Sequence, residues 1–571
     1  MSPLSLKQLI EELDRLKRPD GTEGPDSAAP ILALLGQIAK QRFTDAADFA
    51  IYHEALLFIR AHPANRAMLS AAEKALRKVA SILQLMHEAG IDLSPLAEAD
   101  MSGIAGTSVS GVFSYPVAAW LARNHSGEVE IDWDGYVDEA RLAETLPRFL
   151  PLLEDETLVE AHFPYLEWLR SAAGAPTQAL PWLIARFAEL NVAYARQAEL
   201  YNSLRLYPIW TPRRFAASRT GMRFPQRGTF FHTGPMIARR EVSIAAELDG
   251  PPLPVERLSS NDGAAILELI RQTSTQRYRE LHGFSYGDPS AFIRVDAGRG
   301  IDIYVNETTP ERRLPWRAYH SGFLVKNGVP IGYVEGLSLF DRMEIGFNIY
   351  YTFRDGESAY LYARVMKTFH QLLGINCFSV DPYQIGHENE EGLASGAFWF
   401  YRKLGFQPAR PELLTLVRAE EKKIAAKTNY RTPVTTLAKL AAGHVFYDSG
   451  GSDRDWSSFQ VRNIGLAVQR RMRKFNGGRA DEFRAATEAE VARWLGVKPN
   501  RWPSLDQKAF ANWAAVLFLI DELGDWSSAE KKLTARMIRA KGSGTEAQYL
   551  ELMQKHARLR NSLLALGSMS K

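Results

Sequence analysis

The sequence predicts an α+β protein, in which a mixed, mostly antiparallel sheet carries helices on both faces and is flanked by all-helical regions. Two features in the middle of the chain predict the sheet. Asn327-Gly328 separates two β-rich runs in FLVKNGVPIGYV, which is the strongest short-range signal for a hairpin. The run MEIGFNIYYTF (343–353) alternates apolar and polar residues with a period of two, as a long strand does. The flanks instead place apolar residues every three or four positions, which is typical of helices.

These patterns divide the 571 residues into four parts. Residues 1–200 are predicted to form a helical domain, 251–420 a central domain that contains the sheet, and 421–571 a second helical domain. Residues 201–250 form a connecting arm rich in arginine and aromatic residues. Its repeated prolines argue against a regular helix or a central strand.

The composition is that of a folded protein from a reducing compartment. Hydrophobic residues make up 46% and charged residues 24%, which excludes a disordered or fibrous chain. The single cysteine, Cys377, allows no internal disulfide and is expected in the core. The longest apolar runs are far below the roughly 18 residues that a membrane span needs. We therefore expect a cytoplasmic protein with no membrane partner.

The charge is uneven along the chain, although the net charge is only +3. Residues 101–200 contain fourteen acidic and six basic residues, a net charge of −8. Residues 201–240 contain eight arginines and no acidic residue. Five of these arginines are candidates for contacts with RNA phosphates: Arg213, Arg214, Arg219, Arg223 and Arg227. The interpretation we favour is that region 101–200 neutralises the arginines within the chain.

Two segments resemble the GNAT superfamily of acyl-CoA-dependent N-acyltransferases. The first is MEIGFNIYYTFRDGESAYLYARVM (343–366), in which a strand leads through a turn into a helix. The second is ASGAFWFYRKLGF (394–406), which matches the last motif of the family at five positions: Ala397, Tyr401, Lys403, Gly405 and Phe406. The resemblance covers about residues 251–418 and implies a GNAT-like fold there. The whole arrangement is also similar to that of bacterial proteins.

The resemblance implies that acetyl-CoA or another acyl-CoA binds as co-substrate between the fourth and fifth strands of the family, here 343–353 and 376–382. Family members rest the pyrophosphate on backbone N–H groups at the start of the next helix. The matching turn supplies the candidate cofactor-binding residues: Arg354, Gly356, Ser358 and Ala359. Glu357 stands where the family has glycine. Its carboxylate and that of Asp355 would oppose a pyrophosphate, or else they stabilise the helix N-terminus without any ligand.

The resemblance also implies two catalytic residues. Glu344 is similar to the base glutamate of the histone-modifying branch, and Tyr401 to the tyrosine that protonates the departing thiolate. An amine with a pKa near 10.4 must give up its proton at a cost of about 4.6 kcal/mol at pH 7, so a base is useful. Each residue also has a structural interpretation: a strand residue paired with an arginine, or a buried helix aromatic.

The loop DPYQIGHENEEGL supplies His387 and Glu388 as candidate acceptor-binding groups. They would attract a cationic amine or act as an acid/base pair, and the alternative is an ordinary solvated loop. The loop lacks the second histidine of a zinc-protease helix, so we expect no metal.

The leading hypothesis is an N-acyltransferase that moves an acetyl group from acetyl-CoA to a primary amine of a small molecule or protein. Two alternatives stay open. The arginine-rich arm favours a GNAT-fold transferase that uses an aminoacyl-tRNA, and Glu357 with the large flanks favours a non-catalytic binding or scaffold protein. Fold analogy alone does not decide between them.

Overall fold

The computed structural model describes residues 4–18, 28–98, 100–148, 156, 164–450, 456–475 and 478–568. Part of the region predicted as the first helical domain, 149–155 and 157–163, therefore lies outside the described residues. The described chain is a mixed α/β protein built on a mostly antiparallel sheet, which confirms the general fold class.

The described residues between 109 and 210 form a unit with a hydrophobic core of its own. Its helices pack around a small antiparallel sheet of β1 (Val109–Ser110), β2 (Val129–Ile131) and β3 (Pro208–Trp210), with β3 in the middle. The expectation of an all-helical N-terminal region is therefore wrong here. Strands of two or three residues show no readable alternation, and the proline of β3 stands at its first residue, where a strand tolerates it.

A nine-stranded sheet runs through the centre of the described part of the chain. Its strands are β4 (Val255–Arg257), β5 (Ile293–Gly298), β6 (Ile301–Asn306), β7 (Ala318–Lys326), β8 (Val329–Leu339), β9 (Arg342–Ile349), β10 (Cys377–Val380), β11 (Gln407–Pro408) and β12 (Val445–Asp448). Their order is β11-β12-β10-β9-β8-β7-β6-β5-β4, and β9 and β10 are its only parallel neighbours. Every residue of β6 and β7 is buried, so both faces of the sheet are covered there.

The predicted hairpin is confirmed between β7 and β8. Asn327 and Gly328 both have positive φ angles, 48° and 74°, which a two-residue type I′ turn requires. The side chain of Asn327 also donates to the carbonyl oxygens of Ala61 and Phe230, each at 2.9 Å. The turn thereby joins the N-terminal helices, the connecting arm and the sheet.

The predicted long strand ends earlier than the sequence indicates. β9 stops at Ile349, and Tyr351–Phe353 forms a 3₁₀ turn instead of continuing the strand. The next helix, Ser358–Leu373, ends at Gly374 in the left-handed conformation, as the sequence predicts.

The α-helices of the described residues are Leu6–Leu16, Ala28–Ile38, Ala46–Ala61, Arg66–Leu76, Val79–Glu88, Tyr115–Asn124, Glu139–Thr145, Tyr165–Ala173, Pro176–Glu189, Tyr194–Leu204, Ile244–Asp249, Ser260–Gln276, His282–Ser285, Ser358–Leu373, Glu390–Ala394, Ala397–Lys403, Pro411–Ala426, Val434–Leu440, Val461–Lys474, Ala480–Leu495, Ser504–Leu517, Ser528–Ser543, Glu546–Gln554 and Ala557–Ser568. None of them is long and apolar enough to cross a bilayer.

The N-terminal helices, the central sheet and the C-terminal helices share one continuous hydrophobic core. β12 comes from the region predicted to be wholly helical, yet it pairs with β10 inside the sheet. The sequence hid this strand because four residues are too few to show a period. Cys377 is fully buried in β10, which confirms it as a core residue.

Candidate active site

An opening separates β9 from β10. The two strands pair only from Arg342–Cys377 to Glu344–Ser379. β9 then continues to its end, whereas β10 stops and the chain enters the 3₁₀ helix Pro382–Ile385. Pro382 has no N–H to continue the ladder. A cavity of about 460 Å³ occupies the opening.

One helix supplies the predicted acid to the wall of this cavity. Ala397, Phe400 and Tyr401 of helix Ala397–Lys403 all line it, because residues three and four apart share a helix face. Tyr401 is 4% exposed and packs edge-on against the ring of Tyr362. Burial raises the pKa of Tyr401 above its usual value, so its hydroxyl is protonated at neutral pH and can donate a proton.

The turn before helix Ser358–Leu373 supplies two further predicted residues. Arg354 and Ser358 line the cavity. The guanidinium of Arg354 pairs with the carboxylate of Glu391 at 2.5 Å, and the Ser358 hydroxyl donates to the Arg354 carbonyl oxygen at 2.9 Å. The helix has no side-chain N-cap, so its first backbone N–H groups keep their capacity for an acceptor.

The other two predicted cofactor residues do not reach the cavity. A Cβ on Gly356 would lie 3.1 Å from Nε2 of His62, which places this glycine against the N-terminal helices. Ala359 is buried in the core. The neighbouring carboxylate of Asp355 forms an ion pair with Arg18. The side of the turn that carries these residues is thus occupied by the N-terminal region.

Glu357 points into a cluster of cations behind the turn. Its carboxylate lies 2.5 Å from the guanidinium of Arg299 and 3.5 Å from the amine of Lys326, and it accepts a hydrogen bond from the N–H of Ile237 at 3.0 Å. Burial alone would raise the pKa of Glu357, but these partners hold it below its usual value. The residue that replaces the family's glycine is therefore neutralised within the chain.

Glu344, the predicted base, does not line the cavity. Its carboxylate lies 3.5 Å from Nε2 of His444, 3.6 Å from Arg342 and 3.8 Å from Arg317. Burial would raise the pKa of Glu344, but His444 and Arg342 hold it low. With Asp381 and His444 it offers three ligand atoms within 4.8 Å of one another, but the two guanidiniums would repel a metal ion.

The predicted acceptor-binding pair also lies outside the cavity. His387 and Glu388 are exposed on the loop after the 3₁₀ helix, and neither lines the wall. Their neighbours Asn389 and Glu391 line it instead. Asn389 caps helix Glu390–Ala394 by accepting from the N–H of Gly392, so a helix N-cap pattern in the sequence was the signal for its placement.

Sequence reasoning missed the residues that approach from β8. Tyr333 lies opposite Asn348 of β9, and both line the cavity. The predicted β7–β8 turn fixes only the pairing of Tyr333 with Phe323, and the pairing with Asn348 depends on the β8–β9 turn, which carries no Asn-Gly signal. Arg279, in the segment after helix Ser260–Gln276, lines the same cavity. No local sequence pattern predicts Arg279 in the cavity wall, since only tertiary packing brings this segment to the sheet.

Ion pairs within the described chain engage three of the eight arginines of the arm. Three of the five candidate RNA-binding arginines form ion pairs: Arg219 with Glu54, Arg223 with Glu73 and Arg227 with Glu256. These acids belong to the N-terminal helices and β4, so the expectation that region 101–200 neutralises these three is wrong. Arg219 is 4% exposed and cannot touch RNA. Arg213 and Arg214 are exposed and form no ion pair with any described residue.

Comparison with known proteins gives no match to the chain, whether with family models, with curated proteins or with solved structures. The case for a function therefore depends on the geometry of the cavity and on the sequence motifs.

Proposed function

We propose that this protein is an acyl-CoA-dependent N-acyltransferase that moves an acetyl or other acyl group directly from the thioester to a primary amine. The observation that carries the proposal is the cavity between the diverging strands β9 and β10. Its volume of about 460 Å³ suits a small-molecule ligand. Its wall holds Tyr401, and its edge is the start of helix Ser358–Leu373. A cytoplasmic location belongs to the proposal, because a chain with one cysteine needs no oxidising compartment.

The reaction needs groups for two proton transfers. The amine nitrogen attacks the thioester carbonyl carbon, the C–S bond breaks, and coenzyme A leaves as a thiolate that takes up a proton. Tyr401 is the proposed donor of that proton, since its hydroxyl is protonated and in the cavity wall. Glu344 is the proposed base. Glu344 and Asn348 share a face of β9, but their separation of four residues puts Glu344 about 13 Å from Asn348 along the strand. Glu344 would therefore act on an acceptor that extends along this face.

The surroundings of the turn support binding of the coenzyme phosphates. The carboxylate of Glu357 lies among cations and not in the cavity wall. Arg354 is at the wall, where a phosphate would compete with Glu391 for its guanidinium. Both partners of that pair are more than a third exposed, and such pairs are worth at most about 1 kcal/mol, so displacing Glu391 costs little.

Binding of acetyl-CoA tests the proposal first. At a hundred times its dissociation constant, a ligand stabilises the fold by about 2.7 kcal/mol, so the melting temperature should rise. Tyr401→Phe should keep the binding affinity and lower turnover by roughly 10²–10⁴-fold, because it removes only the proton donor. Tyr447→Phe, which changes a hydroxyl outside the cavity wall, is the matched control and should behave as wild type.

Three results would count against parts of the proposal. Acyl-CoAs that leave both the melting temperature and the calorimetric signal unchanged up to millimolar concentration would reject it. Binding without transfer to any amine would favour the scaffold alternative. Unchanged turnover in both Tyr401→Phe and Glu344→Gln would assign these residues to structure.

The aminoacyl-tRNA alternative is favoured by one observation. Arg213 and Arg214 project from the arm into solvent, without an ion pair among the residues described. Two guanidiniums could contact only a few phosphates of a tRNA, which would give weak binding.

A further inference from the structure

One wall of the cavity is formed by β8 and the segment after helix Ser260–Gln276. Tyr333 and Arg279 reach the cavity from this side, and Asn348 lies between them and the opening. Burial raises the pKa of Tyr333, and Arg279 and Glu335 are the charged groups that act on it most strongly. Tyr333 and Arg279 thus line the same cavity, and Glu335 follows Tyr333 on the same face of β8.

Arg279 is only weakly engaged within the chain. Its ion pair is with Asp100, at 3.9 Å, and the two side chains are 38% and 66% exposed. A pair this long and this exposed contributes little to stability. The guanidinium is thus available to an anion in the cavity.

Arg277 adds positive charge behind the same wall. It is only 7% exposed, and its guanidinium carbon lies 4.0 Å from the centroid of the Tyr350 ring. Its Nε has no hydrogen-bond partner, and no carboxylate of the described chain forms an ion pair with it. Burial and the nearby Arg219 lower the pKa of Arg277 to about 9, so it is still charged at neutral pH. A buried cation without a counter-ion is costly, and an anion bound beyond Tyr350 would offset part of that cost.

Tyr350 connects this buried charge to the cavity. The Tyr350 and Tyr333 rings lie 6.2 Å apart, and Tyr333 is in the wall. The guanidinium of Arg277 therefore lies against one of two adjacent tyrosines, and the other tyrosine lines the cavity.

A carboxylate lies on the other side of Tyr333. Glu335 is two residues further along β8, on the same face, and is paired in register with Gly346 of β9. It accepts a hydrogen bond from the Tyr319 hydroxyl. Because Gly346 has no side chain, the space above the sheet next to Glu335 is not filled from β9.

We propose that the acceptor is an amino carboxylate, a molecule that carries both a primary amine and a carboxylate, with that carboxylate bound by Arg279 and the amine directed along the face of the sheet that carries Glu335 and Glu344. This inference rests on the proposed function, since it names the acceptor class of the same cavity. A guanidinium suits a carboxylate because it donates two parallel N–H···O bonds. An amino carboxylate acceptor also replaces the expectation of a purely cationic acceptor, which depended on His387 and Glu388.

Arg279 and the donor site lie on different walls. Arg354 and Ser358 begin the helix that follows β9, whereas Arg279 approaches from the side of β8. Arg279 is therefore assigned to the acceptor and not to the coenzyme phosphates.

The test compares each of the twenty amino acids with its own carboxamide as acceptor of the acetyl group. The two members of a pair differ at the carboxyl group, and because the amide also has a less basic α-amine, the rates are compared per concentration of free amine. For the best acceptor we expect kcat/KM to be roughly 10- to 100-fold higher for the acid than for the amide. Arg279→Gln should abolish this preference by raising KM for the acid, while kcat/KM for the amide stays within about twofold. Arg484→Gln, exposed on a C-terminal helix, should change neither value.

Several outcomes would overturn the inference and leave the proposed function intact. One is acetyl-CoA turnover at equal rates with the acid and the amide, and another is a carboxylate preference that survives in Arg279→Gln. The inference would also fail if phosphoethanolamine were a better acceptor than every amino acid, or if Arg279→Gln lost affinity for acetyl-CoA instead. If no acyl-CoA binds, calorimetry with N-acetyl amino acids and their amides tests the anion site alone. Carboxylate-selective binding that is lost in Arg279→Gln would support the site, and equal or absent binding would refute it.

Discussion

The surroundings of Glu357 determine the effect of its carboxylate on the neighbouring cavity. In the sequence it is a carboxylate at the position where the family brings a glycine to a pyrophosphate. In the structure it is buried against Arg299 and Lys326. Burial lowers the pKa of Lys326 to about 8, with Glu357 acting in the opposite direction. The carboxylate thus stabilises a buried lysine behind the turn and leaves the cavity side of the turn without negative charge from this residue.

The same cluster predicts that the protonation of one histidine, His232, makes the stability of the fold depend on pH. Burial, and then Lys326, lower the pKa of His232 to about 3, with Arg299 also opposing its protonation and Glu357 favouring it. The unfolded chain binds a proton near pH 6.5 and the folded chain does not, so the stabilisation is complete above pH 6.5 and is lost as the pH falls toward 3. The loss is about 1.4 kcal/mol per pH unit below 6.5.

Chemical denaturation at pH 7 and pH 5 measures this effect. Wild type should lose more stability between the two values than His232→Gln, which keeps a polar side chain that does not titrate. Identical losses in the two proteins would show that His232 is protonated in the folded state.

At the scale of an element, the β7–β8 turn both closes the hairpin and binds distant segments through the Asn327 side chain. Two substitutions separate these roles. Gly328→Ala keeps every hydrogen bond but puts a Cβ at a positive φ, 3.0 Å from the carbonyl oxygen of Phe224, and should cost about 1–2 kcal/mol. Asn327→Gly keeps the turn conformation and removes three side-chain hydrogen bonds, two donated to the carbonyl oxygens of Ala61 and Phe230 and one accepted from the N–H of Phe230. At about 1 kcal/mol each, or about 3 kcal/mol together, their loss should cost more than the alanine does.

Urea unfolding of the two variants decides between these roles. A neutral Asn327→Gly would mean that the turn contributes nothing beyond the hairpin itself.

Elements whose signal is local could be predicted from the sequence. The hairpin, β9 up to Ile349 and the helix that ends at Gly374 follow from alternation, turn residues and a C-terminal glycine. Tyr401 is implied by the resemblance of residues 394–406 to the last GNAT motif, and it lies in the cavity wall. β12 is too short to show a period, and Arg279 reaches the cavity only because a distant segment packs against the sheet. The residue types of the turn also do not show which of its residues face the cavity. Gly356 and Ala359 were therefore expected to line it, and they lie elsewhere.

At the scale of the whole molecule, only two of the five candidate RNA-binding arginines, Arg213 and Arg214, are exposed without an ion pair among the described residues. We therefore expect total tRNA and a random RNA to bind weakly. A genuine single-stranded site would show a log–log salt slope of about −0.7 per phosphate contacted, measured between roughly 50 and 200 mM salt. Tight, salt-sensitive binding that disappears in Arg213→Glu/Arg214→Glu with the fold intact would contradict this expectation and favour the aminoacyl-tRNA alternative. Arg484→Glu is the control for a general change of surface charge.

The central opening is set by the backbone and not by the side chains that line it. β10 pairs with β9 only as far as Ser379 and ends at Val380, Pro382 begins a 3₁₀ helix, and β9 continues without a partner on that side. Substitutions at the wall therefore alter what the opening accepts without closing it. Related chains could exchange acceptors by changing residues such as Arg279 or Tyr333 on an unaltered frame, and an engineer could do the same without redesigning the sheet.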